Sequence, residues 1–518
     1  MIDLLIRNAS VVDGTGRAAF AADVAVTDGR ITDVGRIPAA AEARETLNAQ
    51  GLTLSPGFID IHTHADIALL ARPDHLPKVM QGVTTEVFTN CGLGFAPCTP
   101  EALGIQREYL LGLFGDDSGV DWGWGSVAEF LAGYEKRGVA TNVAYLIPHG
   151  AVRVSVMGME ARAADSAERA QMAEMVRQGI DEGAWGLSTG LWYSPMSHAD
   201  HAENVAVCRA AGFFATHQRS YAEDILEATE ESLRIARDAE VPIQISHLQM
   251  NGPGNAGRAP ELLSQLDRAR TAGVDVTCDI YPYTAGSTFI QSLLPAWATD
   301  GGPEAILRRL NDPETCSRID SHLETRNLDW SSYNLVGAES TLTKPFEGLT
   351  FQDIAERRKL RPCELVIRLL VEDELKACYV HHGAHEGNVK DILRWPEQMV
   401  ASDGLHLRGK THPRLYGTFP RVLSHYVRQE RVIPLEAAVY KMTGQPAERL
   451  GLKDRGVIKI GASADLVLFN PETIRDTATF DDPLRFPEGI PHVFANGVAV
   501  KKSGEPTHAL PGAVLRRQ

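Results

Sequence analysis

Residues 225–247 read ILEATEESLRIARDAEVPIQISH, and residues 259–283 read APELLSQLDRARTAGVDVTCDIYPY. In both, apolar residues first recur at helical spacing and are then followed by a short run rich in Val and Ile, which predicts a helix and then a buried strand. A helix that leads from one strand to the next is typical of a parallel sheet. Both stretches therefore predict repeated helix–strand units.

Further strand-like runs of the same kind occur along the chain. They are VTTEVFTN (83–90), TNVAYLIPHG (141–150), AWGLSTGL (184–191), GFFATHQ (212–218) and MVASDG (399–404). About eight units in roughly 350 residues suit a closed (β/α)₈ barrel. An open, doubly wound sheet is the alternative, but no GxGxxG motif follows an early strand.

The two ends of the chain differ from this middle part. Residues 1–54 and 456–518 both contain short strands separated by Asp-Gly or Gly turns. We expect them to pair in space. The predicted fold is an α/β (β/α)₈ TIM-like barrel over 55–455, with an insertion at about 289–345, and a small β-sandwich domain built from both termini.

The composition of the chain indicates which kinds of binding partner and which cellular compartment to expect. The 518 residues are 44% hydrophobic and 23% charged, with a net charge of −16 and no Lys/Arg cluster, which argues against nucleic-acid binding. No apolar stretch of about 18 residues and no signal peptide is present, so a membrane-spanning or Sec-secreted protein is not expected. Seven scattered cysteines fit a reducing cytoplasm. The sequence leaves the oligomeric state open.

The strongest chemical signal is PGFIDIHTHAD, residues 56–66. His62 and His64 are two residues apart on a predicted strand, so their imidazoles lie on the same face. Two neutral ring nitrogens on one face can share a metal ion.

Four more residues of metal-binding type follow predicted strands. They are Cys91, His217, His247 and Asp403. The carboxyl ends of the strands of a (β/α)₈ barrel meet at one rim, where active sites lie. The sequence therefore predicts that these side chains converge with His62 and His64.

Other histidines are less clearly placed. His149 also ends a predicted strand and could face the site as a supporting or oxyanion-stabilising group, or be a structural histidine. His381, His382 and His385 form a dense cluster, for which a solvated or loop-packing role is expected.

The motifs together resemble one family. PGFIDIHTHAD, NCG around Cys91, STGLWYSP, THQRS, ISHLQ, DIYPYTAGST, SDG followed by HPRLYGTFPRVL, and GASADLVLFNP are similar in order and spacing to the N-acyl-D-amino-acid deacylases, or D-aminoacylases, of the amidohydrolase superfamily. The resemblance covers about residues 3–500. It implies the barrel with a β-sandwich from both chain ends.

The resemblance also implies the cofactor. Cys91, His217 and His247 would hold a tight Zn²⁺, and His62 and His64, with Asp403, a second, weaker metal ion. A thiolate with imidazoles favours zinc, which lowers the pKa of a bound water and polarises an amide carbonyl. Asp403 is the candidate general base, taking the water proton and returning it to the leaving amine.

The expected substrate is a small N-acyl-D-amino acid. By resemblance, Arg414 grips its α-carboxylate together with Tyr281 and Ser287, and guanidinium suits bidentate carboxylate binding. Members that act on N-acyl-D-glutamate carry a lysine where this chain has Gln249, so neutral or apolar D-amino acids are expected. Tyr193 is expected to line the same pocket.

Two alternatives remain open at this point. The first keeps the fold and metal but acts on a cyclic amide, a dipeptide or an acylated xenobiotic. The second is a non-catalytic barrel that serves as an interaction scaffold; such a protein typically lacks metal ligands, and none of the six is missing here.

Overall fold

The two chain ends form one sheet. The computed structural model describes residues 1–115 and 117–517. One hydrogen-bonded sheet holds nine strands from both ends: Ile2–Val11, Phe20–Thr27, Arg30–Gly35, Ala43–Asn48, Thr53–Pro56, Leu466–Phe469, His492–Ala495, Val498–Lys502 and Glu505–Pro506. The two halves meet where Thr53–Pro56 pairs antiparallel with Leu466–Phe469. The predicted pairing of the termini is therefore present.

Eight parallel strands form the barrel. In the order of the chain they are Phe58–Asp60, Val83–Phe88, Asn142–Pro148, Gly186–Gly190, Phe214–His217, Ile243–Ile245, Val276–Ile280 and Gln398–Val400. Each strand pairs with the next in parallel register. Inward-facing side chains such as Ile61, Val87, Leu146 and Met399 fill the interior. The predicted TIM-like barrel is confirmed.

Helices cover the outside of the barrel because one face of each is apolar. In Ile225–Ala239, for example, the buried residues recur at a spacing of three or four, as in Ile225, Ala228, Ser232 and Ala236. The α-helices are Asp66–Ala71, Leu76–Val79, Pro100–Phe114, Val127–Arg137, His149–Met157, Ser166–Asp181, His201–Ala211, Ile225–Ala239, Ala259–Thr271, Gly302–Leu310, Pro313–Thr325, Phe351–Arg358, Pro362–Glu372, Glu386–Arg394, Arg414–Arg421, Leu435–Met442 and Gly444–Leu450. A π-helical segment, Val422–Gln429, follows Arg414–Arg421.

The chain segment between the seventh and eighth barrel strands forms an additional small sheet. It is antiparallel and consists of Gly286–Phe289, Tyr333–Val336 and Cys378–His381. The non-barrel elements therefore extend past the predicted end of the insertion at residue 345. Within residues 1–115 and 117–517, no helix has the length and apolar character needed to cross a bilayer.

Candidate active site

Six side chains of metal-binding type meet at the carboxyl ends of the barrel strands. Every one of them follows or ends a strand: His62 and His64 after the first, Cys91 after the second, His217 at the end of the fifth, His247 after the sixth, and Asp403 after the eighth. All six are buried. The predicted convergence at the rim is therefore what the fold produces.

One group of donor atoms centres on a thiol. The Sγ atom of Cys91 lies 3.4 Å from Nε2 of His62 and 3.5 Å from Nε2 of His247. The donor atoms of these three residues all lie within 4.8 Å of one another. His217 adjoins this group, since its Nδ1 is 2.9 Å from Nε2 of His247.

A second group centres on a carboxylate and shares His62 with the first. Oδ1 of Asp403 lies 3.1 Å from Nε2 of His64 and 3.4 Å from Nε2 of His62. These three donors also lie within 4.8 Å of one another. The structure thus has two adjoining clusters of ligand type.

The backbone is in an unusual conformation at three of these residues. Cys91, His247 and Asp403 have φ values of 58°, 32° and 48°, in the left-handed region that non-glycine residues rarely adopt. Such strain, at about 1–3 kcal/mol per residue, persists where surrounding structure enforces it and concentrates at functional sites. All three residues line the same cavity.

The donor set fits a zinc ion. Burial lowers the pKa of His247 to about 4, and burial next to His247 lowers that of His217 well below its usual value, so both rings are neutral ligands. Burial raises the pKa of the Cys91 thiol to about 11, so a thiolate there needs a neighbouring cation. Two buried ring atoms, Nδ1 of His64 and Nε2 of His217, have no hydrogen-bond partner among the described residues. Thiolate and imidazole ligands are those that Zn²⁺ prefers.

Arg414 lies directly beside the carboxylate cluster. Its guanidinium is 2.9 Å from Oδ2 of Asp403, donates to the backbone carbonyl of Ser287 at 3.2 Å, and lies 4.5 Å above the ring of Tyr281. Burial by itself would raise the pKa of Asp403. The positive charge of Arg414, with smaller contributions from His62 and His64, outweighs this effect and holds the pKa well below its usual value. The carboxylate is therefore charged.

These groups line an inner cavity of about 80 Å³. Of the residues predicted to bind substrate, Tyr193, Gln249, Tyr281, Ser287 and Arg414 are all at its wall. A neighbouring chamber of about 490 Å³ shares Trp192 and Tyr193 with it. Ligand sites are typically about 300–1,000 Å³, so a substrate needs more than the inner cavity alone.

The structure does not bring His149 to this cavity. Its Nδ1 lies 3.0 Å from Oγ1 of Thr189, and its Nε2 lies 3.0 Å from Oε1 of Glu203. Arg153 also pairs with Glu203, and all of these side chains are buried. Both ring nitrogens are thus engaged in a buried polar cluster, the structural role that the sequence had left open.

One residue of the site, His381, was expected elsewhere, and another, Asp279, was not predicted from the sequence. The expectation for His381 was wrong: its ring stacks on Tyr333 at 4.2 Å and lies at the cavity wall, because the small antiparallel sheet delivers it there. Asp279 was not singled out, although its carboxylate lies 3.3 Å from Nδ1 of His62 and accepts the backbone N–H of His247 at 2.7 Å. Its position one residue before the end of the seventh strand was the available signal. His385, by contrast, packs in a loop, with Nε2 2.7 Å from the carbonyl of Gly252.

Comparison with known proteins settles the family. Residues 45–305 and 371–501 match the amidohydrolase family. The chain belongs to the amidohydrolase family. This amidohydrolase is 36% identical to a D-aminoacylase of Alcaligenes xylosoxydans xylosoxydans, over 99% of the chain and 98% of that protein. It is also 36% identical to an N-acyl-D-aspartate deacylase of the same organism, over 99% of the chain and 95% of the relative.

A solved structure extends the likeness to the whole fold. This amidohydrolase is similar to an N-acyl-D-glutamate deacylase from Bordetella bronchiseptica, solved in complex with zinc and a phosphonate inhibitor that mimics the tetrahedral intermediate of the reaction. The TM-score is 0.84 at 33% identity, and the match covers all of both chains. The resemblance seen in the sequence motifs is therefore confirmed.

Proposed function

We propose that this amidohydrolase is a zinc-dependent deacylase that hydrolyses the amide bond of N-acyl-D-amino acids to a carboxylate and a free D-amino acid. Full-length relatives with this activity in their names support the assignment. The observation that carries it in the structure is the position of Arg414, 2.9 Å from Asp403 of the carboxylate cluster. A carboxylate anchor thus stands next to the place where an amide would be cleaved.

Each side chain has a defined part in this proposal. Cys91, His217 and His247 would hold the tight zinc ion, and His62, His64 and Asp403 would hold a second, weaker one. Zinc bound there supplies an activated water nucleophile and polarises the amide carbonyl. Asp403 accepts a proton from the attacking water and returns it to the leaving nitrogen, which balances the hydrolysis.

The substrate is oriented by cavity residues that are not metal ligands. Arg414, Tyr281 and Ser287 bind the α-carboxylate. The Oγ atom of Ser287 is buried and has no partner among the described residues, so it is free to donate to such an anion. Fixing the carboxylate at this wall holds the scissile amide over the metal ligands. It also allows only one configuration at the α-carbon to place the side chain in the cavity, which is the basis expected for D selectivity.

Arg414→Ala is expected to lower kcat/KM for N-acetyl-D-amino acids by about 100-fold or more, since a charge-assisted bidentate contact is lost from a buried site. The assay is release of free amine with zinc supplied, run on paired D and L substrates. Arg414→Lys is the matched control: it keeps the charge but not the bidentate fork, and should retain part of the activity. Unchanged activity of Arg414→Ala, or turnover of the L series alone by the unaltered enzyme, would contradict the proposal.

The preferred side chain of the substrate is proposed to be neutral or apolar. Gln249 lines the cavity and donates from Nε2 to the carbonyl of Tyr283 at 2.8 Å, leaving Oε1 without a partner. An acidic substrate side chain needs a positively charged partner in a buried site, and the neutral amide of Gln249 does not supply one.

Gln249→Lys is therefore expected to raise kcat/KM for N-acyl-D-glutamate relative to N-acyl-D-leucine by about 10-fold or more, because a cation near the substrate carboxylate contributes roughly 1–3 kcal/mol. The two substrates are compared in one competition assay. Gln249→Met, similar in length but uncharged, is the control and should not gain glutamate activity. An equal gain in both variants would show that charge at residue 249 is not the cause.

A further inference from the structure

The barrel has a seam between its first and eighth strands. Within residues 1–115 and 117–517, Phe58–Asp60 and Gln398–Val400 are the two outer strands of the eight-stranded sheet and share no backbone pairing. The segments that follow these two strands do pair. Thr63–His64 pairs with Gly404–Leu405, and the N–H of Asp403 donates to the carbonyl of His62 at 2.9 Å. The carboxylate cluster of His62, His64 and Asp403 spans this seam.

A fully buried lysine fills the gap. Lys78, from the short helix Leu76–Val79, has no exposed surface, and its Nζ donates to Oδ2 of Asp60 at 2.5 Å and to Oγ of Ser402 at 2.5 Å. It also donates to Oγ1 of Thr63 at 3.1 Å and lies 3.6 Å from Glu86. One side chain thus connects the first strand with the segment that follows the eighth strand.

Its partners carry the connection on to the backbone. Oδ1 of Asp60 accepts the N–H of Ser402 at 2.9 Å, and Oγ of Ser402 accepts the N–H of Gly404 at 3.0 Å. These bonds flank His62 and Asp403 in the chain. Lys78 does not line the inner cavity, so it does not contact a substrate bound there.

Placing a charged lysine in the interior costs free energy unless its partners are well arranged. A buried charge of this kind can fix one geometry of the surrounding backbone without adding stability. We propose that Lys78 is a positioning residue that closes the barrel seam and sets the distance between the His62–His64 strand and Asp403. This inference rests on the proposed function, because Asp403 and the two histidines act in that reaction.

The test is Lys78→Met, which removes the charge but keeps most of the volume. It is expected to lower kcat by about 10–100-fold, since displacements of about 1 Å in a site have effects of this size. KM should change less than kcat, because Lys78 contacts Asp60, Thr63, Ser402 and Glu86 and none of the carboxylate-binding residues. Zinc affinity of the weaker site, measured by chelator competition, should fall, whereas that of the tight site should not.

Lys441→Met is the matched control. Lys441 is also a buried lysine, 5% exposed, but its Nζ donates to the carbonyls of Trp395 at 2.6 Å and Gln398 at 3.1 Å, at the opposite end of the eighth strand. Both substitutions should lower the thermal unfolding temperature. Only Lys78→Met should lower kcat, and equal kcat values for the two variants would overturn the proposal.

A double variant separates positioning from stability. Asp60→Asn with Lys78→Met removes the carboxylate that Lys78→Met leaves without its cation, and Glu86 keeps His75, whose Nε2 lies 2.8 Å from Oε1 of Glu86. The double variant should therefore unfold at a higher temperature than Lys78→Met alone while kcat stays low. Recovery of kcat along with stability would overturn the proposal. If Lys78→Met does not fold, the double variant carries the comparison with Lys441→Met.

The outcome is independent of the substrate assignment. All variants are assayed on whichever N-acyl amino acid the unaltered enzyme hydrolyses fastest, and zinc competition needs no substrate. An enzyme that turns over only L substrates would overturn the proposed function and still leave the ratio of kcat values and the zinc affinities as a test of Lys78.

Discussion

Cys91→Ser is expected to lose the tight zinc ion and to lower kcat/KM by about 1,000-fold or more, because the activated water that the ion supplies is lost. A serine hydroxyl does not ionise as a thiol does when a metal binds, so the cluster of Cys91 with His247 loses its anionic ligand. Metal analysis of the purified variant and amine release are the two measurements. Stoichiometric zinc retained by Cys91→Ser would refute the assigned ligand.

Cys98→Ser is the matched control for this experiment. Cys98 is likewise buried, and burial raises the pKa of its thiol to about 12, but it is not part of either cluster of ligand type. The same chemical change seven residues further along should cost some stability and leave zinc content unchanged. A parallel loss of zinc in both variants would point to a general folding defect rather than to loss of a ligand.

Asp403→Asn is expected to lower kcat by about 100- to 10,000-fold, the range that general acid–base catalysis contributes. The amide has the same shape as the carboxylate but cannot accept the proton. Zinc held by Cys91, His217 and His247 should remain, so metal analysis distinguishes loss of the base from loss of the tight metal ion.

The result for Asp403 also depends on its partner. Asn at residue 403 leaves the guanidinium of Arg414 without its carboxylate partner, which will lower stability because a buried charge is then unpaired. Circular dichroism and unfolding temperature are therefore measured beside kcat. A folded variant that holds one zinc ion and keeps kcat within about tenfold of the unaltered enzyme would exclude Asp403 as the base.

Much of the site could be predicted from the order of residues along the chain. Strand direction in a (β/α)₈ barrel fixes which end of each strand reaches the rim, so Cys91, His217 and His247 could be assigned to it from local patterns alone. The two-residue spacing of His62 and His64 likewise placed both rings on one face.

Other residues could not be placed in this way. Whether a histidine such as His149 or His381 points into the cavity depends on neighbours far away in sequence, Glu203 in the first case and the small antiparallel sheet in the second. The support of His62 by Asp279, 217 residues away in the chain, also depends on the register of the closed sheet. No local periodicity carries that information.

The sequence by itself determined the repeating helix–strand units, the strand content of both chain ends and the kinds of side chain at the rim, because hydrophobic periodicity and strand direction act locally. The tertiary structure decided how the barrel closes. Lys78 bridges Asp60 and Ser402 across 342 residues of chain only when the first and eighth strands lie side by side. Burial then sets the charge state of the site, because desolvation and the partners that oppose it exist only in the folded protein.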